Sequence, residues 1–562
     1  MFIAEVFSKG KKGKSYTSIL LRESFRVGAK VKSKTLAVLT HLPAHVLEAV
    51  RRAIAQPAVH SLTHLAADSA SALGLRTAES FGALWVVEQL AQQLGIKQAL
   101  GVTVEAELSY WQVLGRVLRP GTSLLAMVRL ASSCAAAAML GWRQAFTEDD
   151  LYANGAWLEG RHEIIERRLW QSRIDKKSED QLFLYDVTSS YFEGEHNALA
   201  DWGYNRDGKK NKKQVVVGLL TDVHGEPIST QVYRGNTRDL KTFGAQVKKI
   251  KKDFGCQGVT LVGDRGMIRK EQRQEANAAG FHFITALSKP EMEKLLKDKV
   301  FQLEFFEDKL CEVIGQEDQR YILRRNPVRQ QEIATSRDQK KKSLEQSIEK
   351  ANTYLQEHRR AKVKTQQRTL SAKLQRFGLN DWLTLGVKNK RLQLTTNKEA
   401  LAQASRLDGC YVVRTDLKPA QADAQTVHDR YKDLAKVERD FRTLKSGHLD
   451  FRPWYVCKQE NTQAHALTSM LALKVRRALE KAWWPIETTV EEGVQELEKL
   501  CVMELIHPET KALISRYVPE PSSRQKQLLD ALGLSLPTTV PKAKVIVGTR
   551  KKINEVRKPL EK

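Results

Sequence analysis

The chain has 562 residues, 41% of them hydrophobic, so it is long enough for several domains and apolar enough to bury real cores rather than stay disordered. Its 92 Lys and Arg against 66 Asp and Glu give a net charge of +26, which points to a polyanionic partner, most simply nucleic acid, although a solvated basic surface has the same composition. No stretch approaches the ~18 consecutive apolar residues of a membrane span, no signal-peptide pattern opens the chain, and the dispersed cysteines lack a Cys-x-x-Cys pair, so neither a zinc ribbon nor a disulfide framework is expected and a reducing cytoplasm is.

Residues 1–60 read as a small basic β-hairpin followed by a helix. Strands at 16–21 and 31–39 flank a turn at Gly28, lysines and arginines between Lys9 and Lys34 suit phosphate contact, and Pro57 closes the helix. His60 and His64 stand one helical turn apart without a third ligand and read as ordinary helix residues. Residues 61–180 read as helical, with a 3.6-residue apolar rhythm over 81–95 and small residues over 131–140. This block could bind DNA or a second subunit.

Residues 181–289 alternate strand and helix in the order β-β-β-α-β-α-β. Leu182, Phe183, Leu184 and Tyr185 form a short apolar run, predicted to be a buried strand that ends on Asp186; residues 259–262 repeat the design and lead to Asp264. Two aspartates at the ends of two buried strands can converge and bind a divalent cation. Taken singly, each could merely cap a turn. Residues 290–408 interrupt the pattern as an insertion domain: a hairpin over 311–324, a long basic helix over 331–376, and a second hairpin over 383–395 beside Trp382. The pattern resumes over 409–482. There a helix is expected over 424–446, on which Tyr431, Leu434, Glu438, Phe441 and Lys445 fall within about 80° of one another on one face. Glu438 would then face the fold, where a bare carboxylate is costly unless it pairs with Arg442 or Lys445 or binds a metal. Residues 483–562 read as short helices and a basic tail.

Asp186, Asp264 and Glu438, with a short first interval and a long second one, resemble the DDE transposases of bacterial insertion sequences. The long interval is similar to that of the branch with an insertion domain and a Tyr-x2-Arg-x3-Glu-x6-Lys signature. Here those positions hold Tyr431, Leu434, Glu438 and Lys445, so Leu434 replaces the arginine and leaves its phosphate contact to Arg430, Arg439 or Arg442. Gly203-Tyr-Asn-Arg-Asp207, Lys213-Gln-Val-Val-Val-Gly218 and Gly235-Asn-Thr-Arg-Asp239 add to the similarity, which covers about residues 140–480.

The resemblance implies an α/β fold: an RNase H-like catalytic core with a mixed strand and helix insertion, a helical N-terminal region and a small N-terminal β-hairpin domain. It implies that Asp186, Asp264 and Glu438 hold two Mg²⁺ ions, with Mn²⁺ as a substitute, for in-line phosphoryl displacement. Tyr431 and Lys445 would grip the phosphate beside the cut, and Arg442, Arg265, Arg206 and Lys213 would be further DNA contacts. Trp382 either stacks on a base drawn from the duplex or is plain hairpin core. The implied partners are double-stranded DNA, as terminal inverted repeats and as target, and a second copy of the chain in a synaptic dimer. The implied reaction is excision and strand transfer, cut-and-paste through hairpin ends, at the bacterial nucleoid. Two other readings stay open: an RNase H-like nuclease that cuts without joining, and an inactive DNA-binding relative.

Overall fold

The computed structural model describes residues 2–9, 15–27, 30–55, 74–173, 181–194, 196–209, 211–315, 319–358, 360–451 and 454–548. The expected helix end at Pro57, the histidines His60 and His64, and most of the basic tail lie outside the described residues. In chain order the strands are β1 (Phe2–Lys9), β2 (Ser15–Val27), β3 (Lys30–Val38), β4 (Gly74–Ser80), β5 (Leu182–Tyr191), β6 (Gln214–Asp222), β7 (Pro227–Arg234), β8 (Thr260–Gly263), β9 (His282–Ala286), β10 (Cys311–Ile314), β11 (Arg320–Arg325), β12 (Leu383–Lys388), β13 (Arg391–Thr396), β14 (Cys410–Thr415), β15 (Cys501–Ile506) and β16 (Leu513–Tyr517). Among the described residues no helix is long and apolar enough to cross a membrane.

The chain divides into two units, one made of residues 1–79, 501–520 and 537–541 and the other of the rest. In the first unit β1, β2 and β3 form an antiparallel sheet, followed by the helix Ala44–Ala55. The hairpin expected from sequence is β2–β3; β1 adds a third strand. The same unit holds a sheet of order β16-β15-β4 that the sequence did not announce. The residues of β4, Gly-Leu-Arg-Thr-Ala-Glu-Ser, lack apolar alternation. Cross-strand charges tie them in instead: Arg76 pairs with Glu504, 428 positions away, while Arg516 reaches Glu504 at 2.9 Å and Glu79 at 2.7 Å.

The second unit is built on an eight-stranded sheet of order β10-β11-β14-β9-β8-β5-β6-β7. β5, β6 and β7 are a meander, β5–β8 and β8–β9 pair in parallel, and β14, β11 and β10 continue antiparallel from β9. Parallel neighbours need crossovers, and the helices Asp239–Lys252 and Lys270–Ala278 supply them. This succession, a three-strand meander flanked on its first strand by two parallel strands, is the RNase H-like core.

Side chains alternate along β5. Phe183, Tyr185 and Val187 join Phe243, Val247 and Ile250 of the crossover helix, with Leu261 and Phe283, in one hydrophobic core. Tyr185 lies so close over β6 that a side chain at Gly218 would collide with its hydroxyl. The alternate residues Leu184, Asp186 and Thr188 belong to the opposite face, where the helix Leu434–Lys445 packs on β5 and β6. The helix Gln459–Trp483 packs on β7 and on the helices Val104–Leu118 and Glu148–Gly160. Buried Glu166, on the helix His162–Gln171, accepts from Ser229 Oγ at 3.0 Å and from the Thr230 N–H at 2.9 Å, fastening the helical block to the edge strand β7.

Four expectations are corrected. β5 does not stop at Asp186; Val187 to Tyr191 continue the ladder with β6, because Val, Thr and Tyr suit a strand paired on its neighbour. The helix expected across 424–446 is two, Ala424–Lys432 and Leu434–Lys445, broken at Asp433. The first hairpin of the insertion, β10–β11, is an extension of the main sheet through β14. The long basic helix is also two, Pro327–Glu357 and Val363–Arg376, fastened by Lys373 Nζ donating to Ser347 Oγ at 2.6 Å.

Those two helices and the β12–β13 hairpin enclose a separate core of Leu344, Ile348, Leu370, Leu374, Leu379 and Trp382. The hairpin turns through Asn389 and Lys390, both at positive φ (51° and 59°), as a two-residue type I′ loop requires. Trp382 is 4% exposed. It has no face open to a base, which corrects its candidacy as a DNA contact in favour of hairpin core. Trp382→Ala should therefore lower stability by about 3–5 kcal/mol, as for other buried tryptophans, read by chemical denaturation. An unchanged unfolding midpoint would contradict that placement.

Candidate active site

The parallel ladder between β5 and β8 pairs Leu182 with Thr260 and ends with Tyr185 opposite Gly263. The next residue on each strand is an aspartate: Asp186, which stays in the sheet through β6, and Asp264, which turns out of it. The register brings the two aspartates to neighbouring strand ends, and both carboxylates line one cavity. Glu438 comes from the helix Leu434–Lys445, whose residues Leu434, Val437, Phe441 and Leu444 are buried. All three carboxylates line one cavity of about 280 Å³, together with Thr188, Arg206, Asp239, Met267 and Phe441.

Asp186 accepts from the Val187 N–H at 2.8 Å. Burial, reinforced by the charges of Asp264 and Glu438, pushes its pKa up to about 7 against the pull of the Val187 amide and Arg206. Asp264 accepts from the Arg265 N–H at 2.7 Å and from the Tyr431 hydroxyl at 3.2 Å. Burial and then the Asp264 charge hold the Tyr431 phenol well above its ordinary range, so it stays a hydrogen-bond donor. Asp239, at the start of its helix, is a fourth carboxylate on the cavity wall; Arg206 Nη2 reaches its two oxygens at 2.9 and 2.7 Å.

The helix bearing Glu438 is held from its other side. Arg477 pairs with buried Asp440 at 2.6 Å, and Lys436 Nζ donates to the Val223 carbonyl at 2.7 Å. Burial pushes Asp440 up to about 7 even beside Arg477. Lys445, at the end of the helix, donates to Asp207 Oδ1 at 2.9 Å and to the Ser189 carbonyl. Asp207 in turn accepts from the Tyr191 N–H at 3.1 Å. Lys445 thus ties the loop after β5 to the helix.

Residues 177–474 match the family described as Transposase DDE domain, and residues 3–61 match the IS1634 family transposase N-terminal domain. The chain belongs to the DDE transposases of insertion sequences. Members of this family are enzymes that act on DNA. None of the curated proteins matches the chain. Among solved structures, a piggyBac transposase synaptic complex with hairpin DNA aligns at 7% identity and a TM-score of 0.35, over 80% of this chain and 76% of that one, a likeness too slight to bear on the fold.

The site residues expected from sequence fall into three groups in this transposase. Asp186, Asp264, Glu438 and Arg206 line the cavity, and Tyr431 bonds one of its carboxylates. Arg265 and Arg442 are exposed beside it in sequence. Lys445 is engaged by Asp207, Lys213 is half-buried at the start of β6, and Trp382 belongs to the inserted core. Leu434, at the signature's arginine position, is buried. Glu438 is exposed on the cavity rim and not, as expected, within the buried stripe. Asp239 was missed as a site residue, although it closes the Gly-Asn-Thr-Arg-Asp motif.

Asp186 binds its proton more tightly in the folded chain than an ordinary carboxyl does, so its burial favours folding at low pH and costs stability as pH rises through about 7. In metal-free buffer, Asp186→Asn should raise the thermal midpoint more at about pH 8 than at about pH 5. An equal change at both, measured by calorimetry, would speak against a strained carboxylate.

Proposed function

We propose that this transposase excises and reinserts an insertion sequence by phosphoryl transfer at the cavity shared by Asp186, Asp264 and Glu438. The observation that carries the reading is the register coincidence of Asp186 and Asp264 on adjacent parallel strands, with Glu438 lining the same cavity. Three carboxylates offer the hard oxygen ligands that Mg²⁺ takes, and the mutual repulsion acting on Asp186 is of the kind a cation relieves. Among the described residues no three metal-ligating side chains are gathered closely enough to hold an ion, so the fit is one of donor chemistry and not of a closed cage. Asp186, Asp264 and Glu438 would hold Mg²⁺, two ions per site with Mn²⁺ as a substitute, and the metal would supply charge stabilisation to the displacement.

The chain's own residues bind and orient DNA. The Tyr431 hydroxyl, Arg265 and Arg442 meet phosphates of the strand entering the cavity, Arg206 borders it, and Lys213 and Lys445 hold the strand beyond the cut, Lys445 by exchanging Asp207 for a phosphate. In the first displacement water attacks a backbone phosphate at the element's end and a 3′-oxygen leaves. That 3′-hydroxyl then attacks a phosphate of the opposite strand and displaces the 3′-oxygen of the flanking DNA, closing a hairpin; water hydrolyses the hairpin phosphodiester and frees the same 3′-hydroxyl, which attacks a target phosphate and displaces a target 3′-oxygen. Two copies acting together on paired ends, in the bacterial cytoplasm, complete the reading.

Asp186→Asn, Asp264→Asn and Glu438→Gln should each slow cleavage of a labelled end by on the order of 10³-fold or more while leaving binding to it intact, since each removes several kcal/mol of charge stabilisation. Near-normal cleavage by any one would remove that residue from the site. Supplying a pre-cut end tests the rest: joining to target is expected, and cutting without joining would make the protein a nuclease.

A further inference from the structure

Residues 201–207, between β5 and β6, are clamped at intervals and yet present two large aromatic side chains to solvent. At one end, Asp201 and Gln214 exchange both backbone hydrogen bonds, at 3.0 and 2.9 Å, and Arg234 pairs with the Asp201 carboxylate at 3.0 Å. At the other end Asp207 is locked by Lys445 and the Tyr191 amide. Between them the Arg206 N–H donates to Ser189 Oγ at 2.9 Å. Gly203 is pressed against the chain: any side chain there would collide with the Gly235 carbonyl oxygen and with Gln214. On either side of this pinned glycine, Trp202 is 58% and Tyr204 81% exposed.

A single exposed aromatic needs no explanation. Two on a segment this firmly held, whose Arg206 lines the catalytic cavity, are a presented surface. The link to the cavity is direct. The Arg206 guanidinium lies 5.8 Å from the centre of the Tyr204 ring while it pairs with Asp239 on the cavity wall. Lys209, Arg234 and Arg238 are exposed on the same loop and the strand end beside it, which suits a phosphate backbone. Rigid aromatic faces among cations bind single-stranded nucleic acid, because every base has a stacking face and the backbone is anionic.

We propose that Trp202 and Tyr204 form a stacking platform for unpaired bases of the DNA strand next to the phosphate held in the cavity. The inference rests on the reading of the cavity as a DNA-processing site. The platform explains why the loop is fixed and not floppy: a preset stacking surface loses little conformational entropy when it binds.

The test compares binding of the full chain to a short duplex with a single-stranded tail carrying a fluorescent adenine analogue and to the same duplex with blunt ends. The wild-type protein should favour the tailed duplex and quench the analogue. Trp202→Ala with Tyr204→Ala should weaken tailed binding by roughly tenfold to a hundredfold and abolish the quench, leaving blunt binding unchanged. Trp202→Phe with Tyr204→Phe, which keeps two rings, should restore both. Equal loss on tailed and blunt duplexes, retention of the quench in the alanine variant, or failure of the phenylalanine variant to restore it would each overturn the platform. If the wild-type protein binds both duplexes without preference, the platform fails and the DNA-processing reading stands; if it binds neither, both fail.

Discussion

The register of one short parallel ladder decides where the acidic residues of the cavity lie. Because Tyr185 lies opposite Gly263, the first residues past the paired segment are Asp186 and Asp264. Hydrogen bonding of the backbone, and not attraction between side chains, sets the two carboxylates together. It can do so against their repulsion because the ladder is anchored by an apolar core: Phe183, Tyr185 and Leu261 are fully buried within it. A slip of one residue would send Asp186 into that core and Tyr185 into the cavity, so the hydrophobic pattern that fixes the register also protects the acidic pair.

The electrostatic arrangement around the pair follows from this forced proximity. Arg206 partly offsets the acidic charge, but it is shared with Asp239 and held by a loop that is itself fastened through Asp207 and Lys445. Glu438 is delivered by a helix whose opposite side is fixed by Asp440 and Arg477, a buried pair whose arginine also reaches Glu226 at 3.3 Å. Of the three carboxylates, Asp186 is the partly buried one, while Asp264 and Glu438 are exposed.

Much of this was legible in the sequence. The strand and helix succession over 181–289 could be read because short apolar runs alternate there with charged helical stretches and Gly turns, and the two aspartates stood out for following such runs. What could not be read depends on contacts distant in sequence. The course of β5 beyond Asp186 depends on the partner strand β6, which gives Thr188, Ser189 and Ser190 ladder bonds that a local reading assigns to a turn. β4 is held by charges from residues more than four hundred positions away. Trp382 was ambiguous because periodicity cannot say whether an aromatic beside a hairpin points in or out; the two inserted helices decide it. Lys445 carried a signature position, yet its ion pair with Asp207 could be seen only once the loop after β5 was folded back.

Asp186, Asp264 and Glu438, as one cation site, would bind a divalent ion before any DNA arrives. The most direct measurement is titration of the metal-free protein, without DNA, with Mn²⁺, following the loss of the free-ion paramagnetic resonance signal. Saturable binding is expected in the wild-type chain, lost in Asp186→Asn and in Asp264→Asn and weakened in Glu438→Gln. Saturable binding of equal strength in the wild-type protein and in either aspartate variant would place the ion elsewhere and contradict this site.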